Sequence, residues 1–339
     1  MNHTKKIIIS LLILLLVNTL TAQDVQKASP LEAVKNWFTA WELVSKEIYK
    51  IKTLQPVEFV FFDQTDVFST SAISIPNGQT VSGPGLLGRK LAWKKANHNG
   101  KITLPDGQIV PVGLMSFAAP LGKDRQHSFF VMPLPDFWRK AGVESKELGF
   151  ENLVTGVFLH EFSHSQQMRN FGRKLSEYEQ KHTDKIEFSD DLIQNYFEND
   201  ADYTREFLVE TDLFYAAAEL KSDDRLMQAL SLYKKRQSHY FTGGKQNLKE
   251  LDDFFLTMEG LGQFTMYAWM IHPKGGRILP EAALTGVRRG KKSWSQDEGL
   301  ALFLVLRSLA KSEKWAKRMF GNETISVIEL IGQNSRQLK

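Results

Sequence analysis

The sequence predicts an α+β chain in which an N-terminal, mostly antiparallel sheet precedes a largely helical C-terminal part. Two observations carry this. Across residues 56–135, short β-prone runs alternate with Gly- and Pro-rich turn signals. Beyond residue 153, apolar residues recur at helical spacing almost to the end of the chain.

Residues 1–22 have the layout of a signal peptide. Lys5 and Lys6 form a basic start, residues 7–17 an apolar run, and residues 18–23 a polar, small-residue exit. The apolar run is short for a membrane span. The expectation is export, to a periplasm or the exterior, with no stable membrane span after cleavage. The chain has no cysteine, so neither disulfides nor a lipid-modified cysteine contribute, and any metal must be held by His and carboxylates. Of the net charge of +4, two charges belong to Lys5 and Lys6, which leaves +2 on the mature chain. That value, with no basic-aromatic stripe, predicts no nucleic-acid partner. A hydrophobic share of 42% and a charged share of 24% fit a globular protein large enough for a sizeable core. The division expected is residues 24–148 as an N-terminal helix plus β-rich lobe and residues 149–339 as a helical lobe, with a cleft between them.

Residues 30–51 read as an amphipathic helix. Ser29 caps it, Pro30 takes the first helical position, and Val34, Phe38, Trp41, Val44 and Ile48 recur near helical spacing. Residues 57–62, apolar but for Glu58, read as a buried strand. Asn99-Gly100 and Asp106-Gly107 are hairpin signals, and residues 110–117 and 128–132 are further strand candidates, for about five strands in all. Gly83, Gly85 and Gly88 lack the Lys-Ser/Thr pair of a phosphate loop and read as loop residues. The strand at residues 128–132 precedes a helix of special interest. As a sheet edge it would offer an extended peptide a place to add.

That helix spans residues 153–167 and carries His160-Glu161-Phe162-Ser163-His164, the pattern H-E-x-x-H. Residues four apart on a helix lie on one face, so the two imidazoles can occupy adjacent corners of a zinc tetrahedron. Glu161 then lies beside the metal, placed to act as general base on a zinc-activated water.

Residues 182–191 read as a loop and residues 195–220 as one long helix. On that helix Glu210 shares a face with Tyr203, Phe207, Leu213, Phe214 and Ala217. A carboxylate inside an apolar stripe needs a partner or a metal, which makes Glu210 a candidate third ligand. Residues 225–240 form the next helix. Its end, Lys234 to Tyr240, reads as a solvated basic cluster suited to the helix dipole. Arg236, His239 or Tyr240 could alternatively reach the cleft. Glu259 is a second acid among apolar residues, followed by Gly260 and Gly262, which permit close approach of a helix or ligand.

His160-Glu161-Phe162-Ser163-His164 followed by Glu259-Gly260-Leu261-Gly262-Gln263-Phe264 resembles the gluzincin metallopeptidases. In that clan H-E-x-x-H supplies two ligands and a Glu on a later helix the third, in a motif E-G-x-A-x-Y. Gly262 stands at the Ala position here and Phe264 at the Tyr. A weaker likeness runs over residues 294–304, where Gln296 takes the place of the Tyr that stabilises an oxyanion in aminopeptidase-type members. The resemblance implies a zincin-like fold and a Zn2+ cofactor. It implies hydrolysis of a peptide or protein substrate with Glu161 as base, and Glu259 as third ligand, with Glu210 then orienting a histidine; the reverse assignment of the two is open. The alternatives are an inactive binding or structural protein on the same fold, and a zinc hydrolase of a non-peptide amide.

The loop over residues 274–292 is basic and Gly-rich and reads as a solvated surface loop. Residues 298–311 and 314–320 read as packing helices, with residues 321–324 capping a final short one.

Overall fold

The computed structural model describes residues 30–52, 54–122, 126–181 and 189–335. The expected signal peptide and most of the expected loop at 182–191 lie outside these residues. The chain is α+β, a mixed N-terminal sheet followed by helices. It groups into two compact units, residues 1–169 with 266–286, and residues 170–265 with 287–339. The helix bearing His160 thus belongs with the sheet.

In the first unit, α1 (Pro30–Leu43) precedes eight strands: β1 (Val57–Phe62), β2 (Asp66–Ser69), β3 (Gln79–Val81), β4 (Trp93–Asn97), β5 (Lys101–Thr103), β6 (Ile109–Pro111), β7 (Phe117–Leu121) and β8 (His127–Pro133). Six form one sheet in the order β3-β4-β2-β1-β8-β7, and β5 and β6 pair as a separate hairpin. All neighbours in the sheet are antiparallel except β1 and β8, which run parallel from Val57 opposite Ser128 to Phe62 opposite Pro133. The expected single strand at 110–117 is two strands, β6 and β7. Pro111 has no N–H to extend a ladder, and Gly113 favours the intervening turn. The strand at 128–132 is not an edge, because β8 lies between β1 and β7. The edge on that side is β7.

The sheet is covered on both faces, which is why β1 is apolar throughout Phe59, Val60, Phe61 and Phe62. Val60 and Phe62 of β1, Phe129 and Val131 of β8, and Phe117 of β7 pack with Ile102 and Leu104 of the hairpin region. Phe59, Phe61 and Phe130 point the other way, into an aromatic layer with Phe38 of α1. After β8 come α2 (Pro135–Lys140) and α3 (Phe150–Ser165), and α3 closes that aromatic layer.

The helices of the second unit are α4 (Arg173–Lys181), α5 (Leu192–Phe197), α6 (Ala201–Leu220), α7 (Asp223–Tyr240) and most of α8 (Leu248–Met270). After α9 (Pro280–Val287) follow α10 (Trp294–Leu309), α11 (Ser312–Met319) and α12 (Val327–Ser335). The single helix expected over 195–220 is broken. Asp200 adopts an extended backbone and accepts from the N–H groups of Asp202 and Tyr203, starting α6 afresh. The final helix is capped by Ser326 rather than by residues 321–324. Ser326 N donates to the Glu329 carboxylate and Glu329 N to Ser326 Oγ, a reciprocal capping box. Among the described residues no helix is long and apolar enough to cross a membrane.

Candidate metal centre

Helix α3 is held by one face and works with another. Phe158 and Phe162, four residues apart, stack on each other with centroids 5.3 Å apart. Phe158 also stacks on Trp37 of α1, Phe162 meets Trp41 edge-on at 4.8 Å, and both meet Phe130 of β8. His160 and His164 are each two positions on, about 200° around the helix, and so lie on the far side from this aromatic anchor. Gly156, one turn before His160, is on the histidine face. A Cβ there would lie 2.6 Å from the methyls of both Met266 and Met270.

The C-terminal end of α3 is tied down in turn. Ser128 Oγ of β8 donates to Ser165 O at 3.0 Å. Gln55, just ahead of β1, donates from its backbone N to Gln166 Oε1 at 2.8 Å and from Nε2 to Gln166 O at 2.6 Å. The histidine-bearing turns are therefore clamped to the sheet.

His160 Nε2 and His164 Nε2 lie 3.0 Å apart, and the rings meet edge-on. With Glu161 they make the group of possible ligands found among the described residues, their ligand atoms all within 4.8 Å of one another. All three are buried. Two imidazole nitrogens facing each other in the interior must share either a proton or a cation. Two zinc–nitrogen bonds at a tetrahedral angle would set them roughly 3.4 Å apart, so a cation needs only a few tenths of an ångström of adjustment. Two imidazoles and a carboxylate in this arrangement could hold a metal ion.

The two later glutamates lie in the second unit, each with its own partners. Glu210 of α6 is fully buried, and Arg236 grips both of its oxygens. Arg236 Nε lies 3.1 Å from each oxygen, and Nη2 is 2.8 Å from Oε1. The expectation of a solvated basic cluster at 234–240 holds for Lys234, Lys235 and His239, which are exposed, and fails at Arg236. Arg236 is fully buried and also reaches Tyr203 Oη at 2.7 Å, Asp252 at 3.2 Å and Glu298 at 3.3 Å. Nor is Tyr240 free to serve elsewhere, since its ring packs edge-on against Tyr203 and His239.

Glu259 of α8 is fully buried, and its Oε2 accepts from Gln296 Nε2 at 3.1 Å. Gln296 Oε1 in turn accepts from Gln263 at 2.6 Å and Arg289 at 3.2 Å. The motif glycine does what its type suggests. A Cβ on Gly260 would lie 2.5 Å from the backbone of Gly299, so α8 and α10 cross at backbone contact. Asp190 is close enough to feel the charge of Glu259. Burial, then Glu259 and Asp191, push its carboxyl up to about 8. The basic loop expected to be solvated is partly anchored: Arg288 pairs with Asp297 at 3.1 Å and stacks over Tyr215.

Asp252 and Glu298 were not singled out by the sequence reading, and Arg236 was named only as a residue that could reach the cleft, although the spacing of α7 contains the signal of its burial. Leu226, Ala229, Leu230 and Tyr233 mark a buried stripe whose next members are Arg236 and Gln237. No protein-family model, no curated protein and no solved structure matches this chain.

Proposed function

We propose that this chain is an exported zinc-dependent hydrolase of peptide bonds, with His160 and His164 as metal ligands and Glu161 as general base. The observation that carries the reading is the buried His160–His164 nitrogen pair beside Glu161, on a helix anchored by its opposite face. Zinc bound there would supply Lewis acidity toward a scissile carbonyl and would acidify water at neutral pH. Glu161 accepts the proton of the attacking water and returns it to the leaving amine. The sheet edge nearest α3 in strand order is β7, and an extended peptide would add there through backbone hydrogen bonds.

Two imidazoles leave a zinc site at least one protein donor short. The sequence pattern offers Glu259, with Glu210 as the alternative; Glu210 already holds Arg236.

The test is metal analysis of the purified mature chain, with hydrolysis of a mixed peptide library before and after chelation. The expected result is one zinc per chain, cleavage abolished by chelator, and a loss of roughly 10²–10⁴-fold in rate for Glu161→Gln with zinc retained. A chain that binds no zinc removes the reading. Zinc without cleavage, and no effect of Glu161→Gln, would leave a binding or structural role.

A further inference from the structure

The metal-site helix runs into a side chain that the reading above leaves idle. Gln167 is fully buried, and among the described residues neither its Oε1 nor its Nε2 has a hydrogen-bond partner. A carboxamide carries two donors and a two-lone-pair acceptor, and burying all of them unpaired is costly. The surroundings are not loosely built. The adjacent Gln166 accepts two hydrogen bonds from Gln55 and donates a third to Ser165. Three residues on, Asn170 donates to Met319 O and Glu323 O. In this turn both polar ends of the Gln167 amide are buried with no hydrogen-bond partner among the described residues.

Its register states what it was placed for. Gln167 N donates to His164 O at 2.9 Å, closing a three-residue turn. In such a turn side chains three apart are eclipsed, so Gln167 lies in line with His164. Helical side chains also lean toward the preceding turn, which here is the turn of His164. Positions 160, 164 and 167 thus form one row, the face turned away from Phe158 and Phe162. A buried, unpaired amide oxygen in line with two imidazoles is the kind of donor a divalent cation uses.

We propose that Gln167 is an oxygen donor of the metal centre, its Oε1 joining the imidazoles of His160 and His164 in a set drawn from one stretch of chain, H-x-x-x-H-x-x-Q. This rests on the metal-centre reading and supplies the donor that the two histidines lack.

The experiment compares the full mature chain with Gln167→Met, Gln167→Glu, Glu259→Gln and His160→Ala. Zn2+ and Co2+ affinities are measured by chelator competition, and the Tm of each metal-free protein is recorded. Gln167→Met keeps the shape and removes the polar atoms, so it is expected to weaken zinc binding at least about tenfold. Its metal-free Tm should equal or exceed that of the parent, because the unpaired amide is gone. The Co2+ absorption band should change with the donor set. Gln167→Glu should bind zinc at least as tightly as the parent while its metal-free form loses Tm, and this variant decides the matter if Gln167→Met does not fold.

Parent-like zinc affinity in Gln167→Met overturns the proposal. So does a lowered metal-free Tm for that variant, which would show that the amide has a structural partner within the protein. If Glu259→Gln weakens binding and Gln167→Met does not, the missing donor is Glu259. If the parent binds neither ion, this proposal and the metal-centre reading fail together. Binding lost in His160→Ala but intact in Gln167→Met sinks only the assignment of Gln167.

Discussion

Replacing Arg236 by Met should be among the most damaging single changes in the second unit, and the damage should shrink in acid. One guanidinium faces three carboxyl groups, those of Glu210, Asp252 and Glu298, all of them buried. They cannot all be ionised. Burial, and then the charge of Glu210, hold the Glu298 carboxyl well above the usual range. Burial also raises Asp252, to about 6, against the pull of Arg236. The guanidinium grips Glu210 most closely, through three short contacts. Removing one partner of a buried ion pair costs about 3–5 kcal/mol, because the other charge is left stranded. The variant can escape by taking up a proton. Each extra proton bound by its folded state relieves about 1.4 kcal/mol per pH unit. Between pH 7 and pH 5 one such proton would reduce the defect by up to about 2.7 kcal/mol. Native-state hydrogen exchange of the α6 and α7 amides measures this directly, unit by unit. A defect below about 1 kcal/mol at pH 7, or one that grows as the pH falls, would refute the reasoning.

Asp252 itself sets a second test. Its folded pKa of about 6 lies above its unfolded value of about 3.9. The folded state therefore holds the proton more tightly; this contribution to stability is complete below about pH 4 and is lost as the pH rises toward 6. The loss amounts to about 2–3 kcal/mol over that window. Asp252→Asn should abolish it, so urea denaturation of the variant should show a flatter profile from pH 4 to 6.5; parallel profiles would contradict the shift. Gly260→Ala should destabilise by about 1–3 kcal/mol, even though Ala is the better helix former by about 1 kcal/mol, because its Cβ meets the Gly299 backbone at 2.5 Å. An unchanged or raised Tm would show that the α8–α10 crossing can open.

What was legible in the sequence was whatever local spacing determines. The strand at 57–62, the amphipathic start of α1 and the helix under H-E-x-x-H all depend on neighbours in sequence, and each appears where its pattern puts it. Long-range pairing was not. Nothing in residues 128–132 says that they pair in parallel with 57–62 and gain β7 on their other side, because a continuous apolar run fits any central strand. The break before α6 turned on Asp200, whose side chain competes for backbone N–H groups as readily as it continues a helix.

The buried acids show the limit more sharply. Glu210 and Glu259 carry the same signature in sequence, a carboxylate in an apolar stripe, and that signature states only that each needs a partner. It does not say whether the partner is a cation of the chain or a metal ion. The answer for Glu210 was written on another helix, in the stripe of α7 that carries Leu226, Leu230 and Tyr233 inward and brings Arg236 with them. A search for metal ligands that begins from buried acids should therefore first ask which arginines the same periodicity buries. The converse question is about buried polar groups with no partner in the protein at all. Gln167 passed unnoticed because glutamine at a helix end is ordinary; only its burial, its missing partners and its line with His164 set it apart. In a chain without cysteine, where nitrogen and oxygen must hold any metal, an orphaned amide beside two imidazoles is a stronger pointer to the third donor than an acid already answered by an arginine.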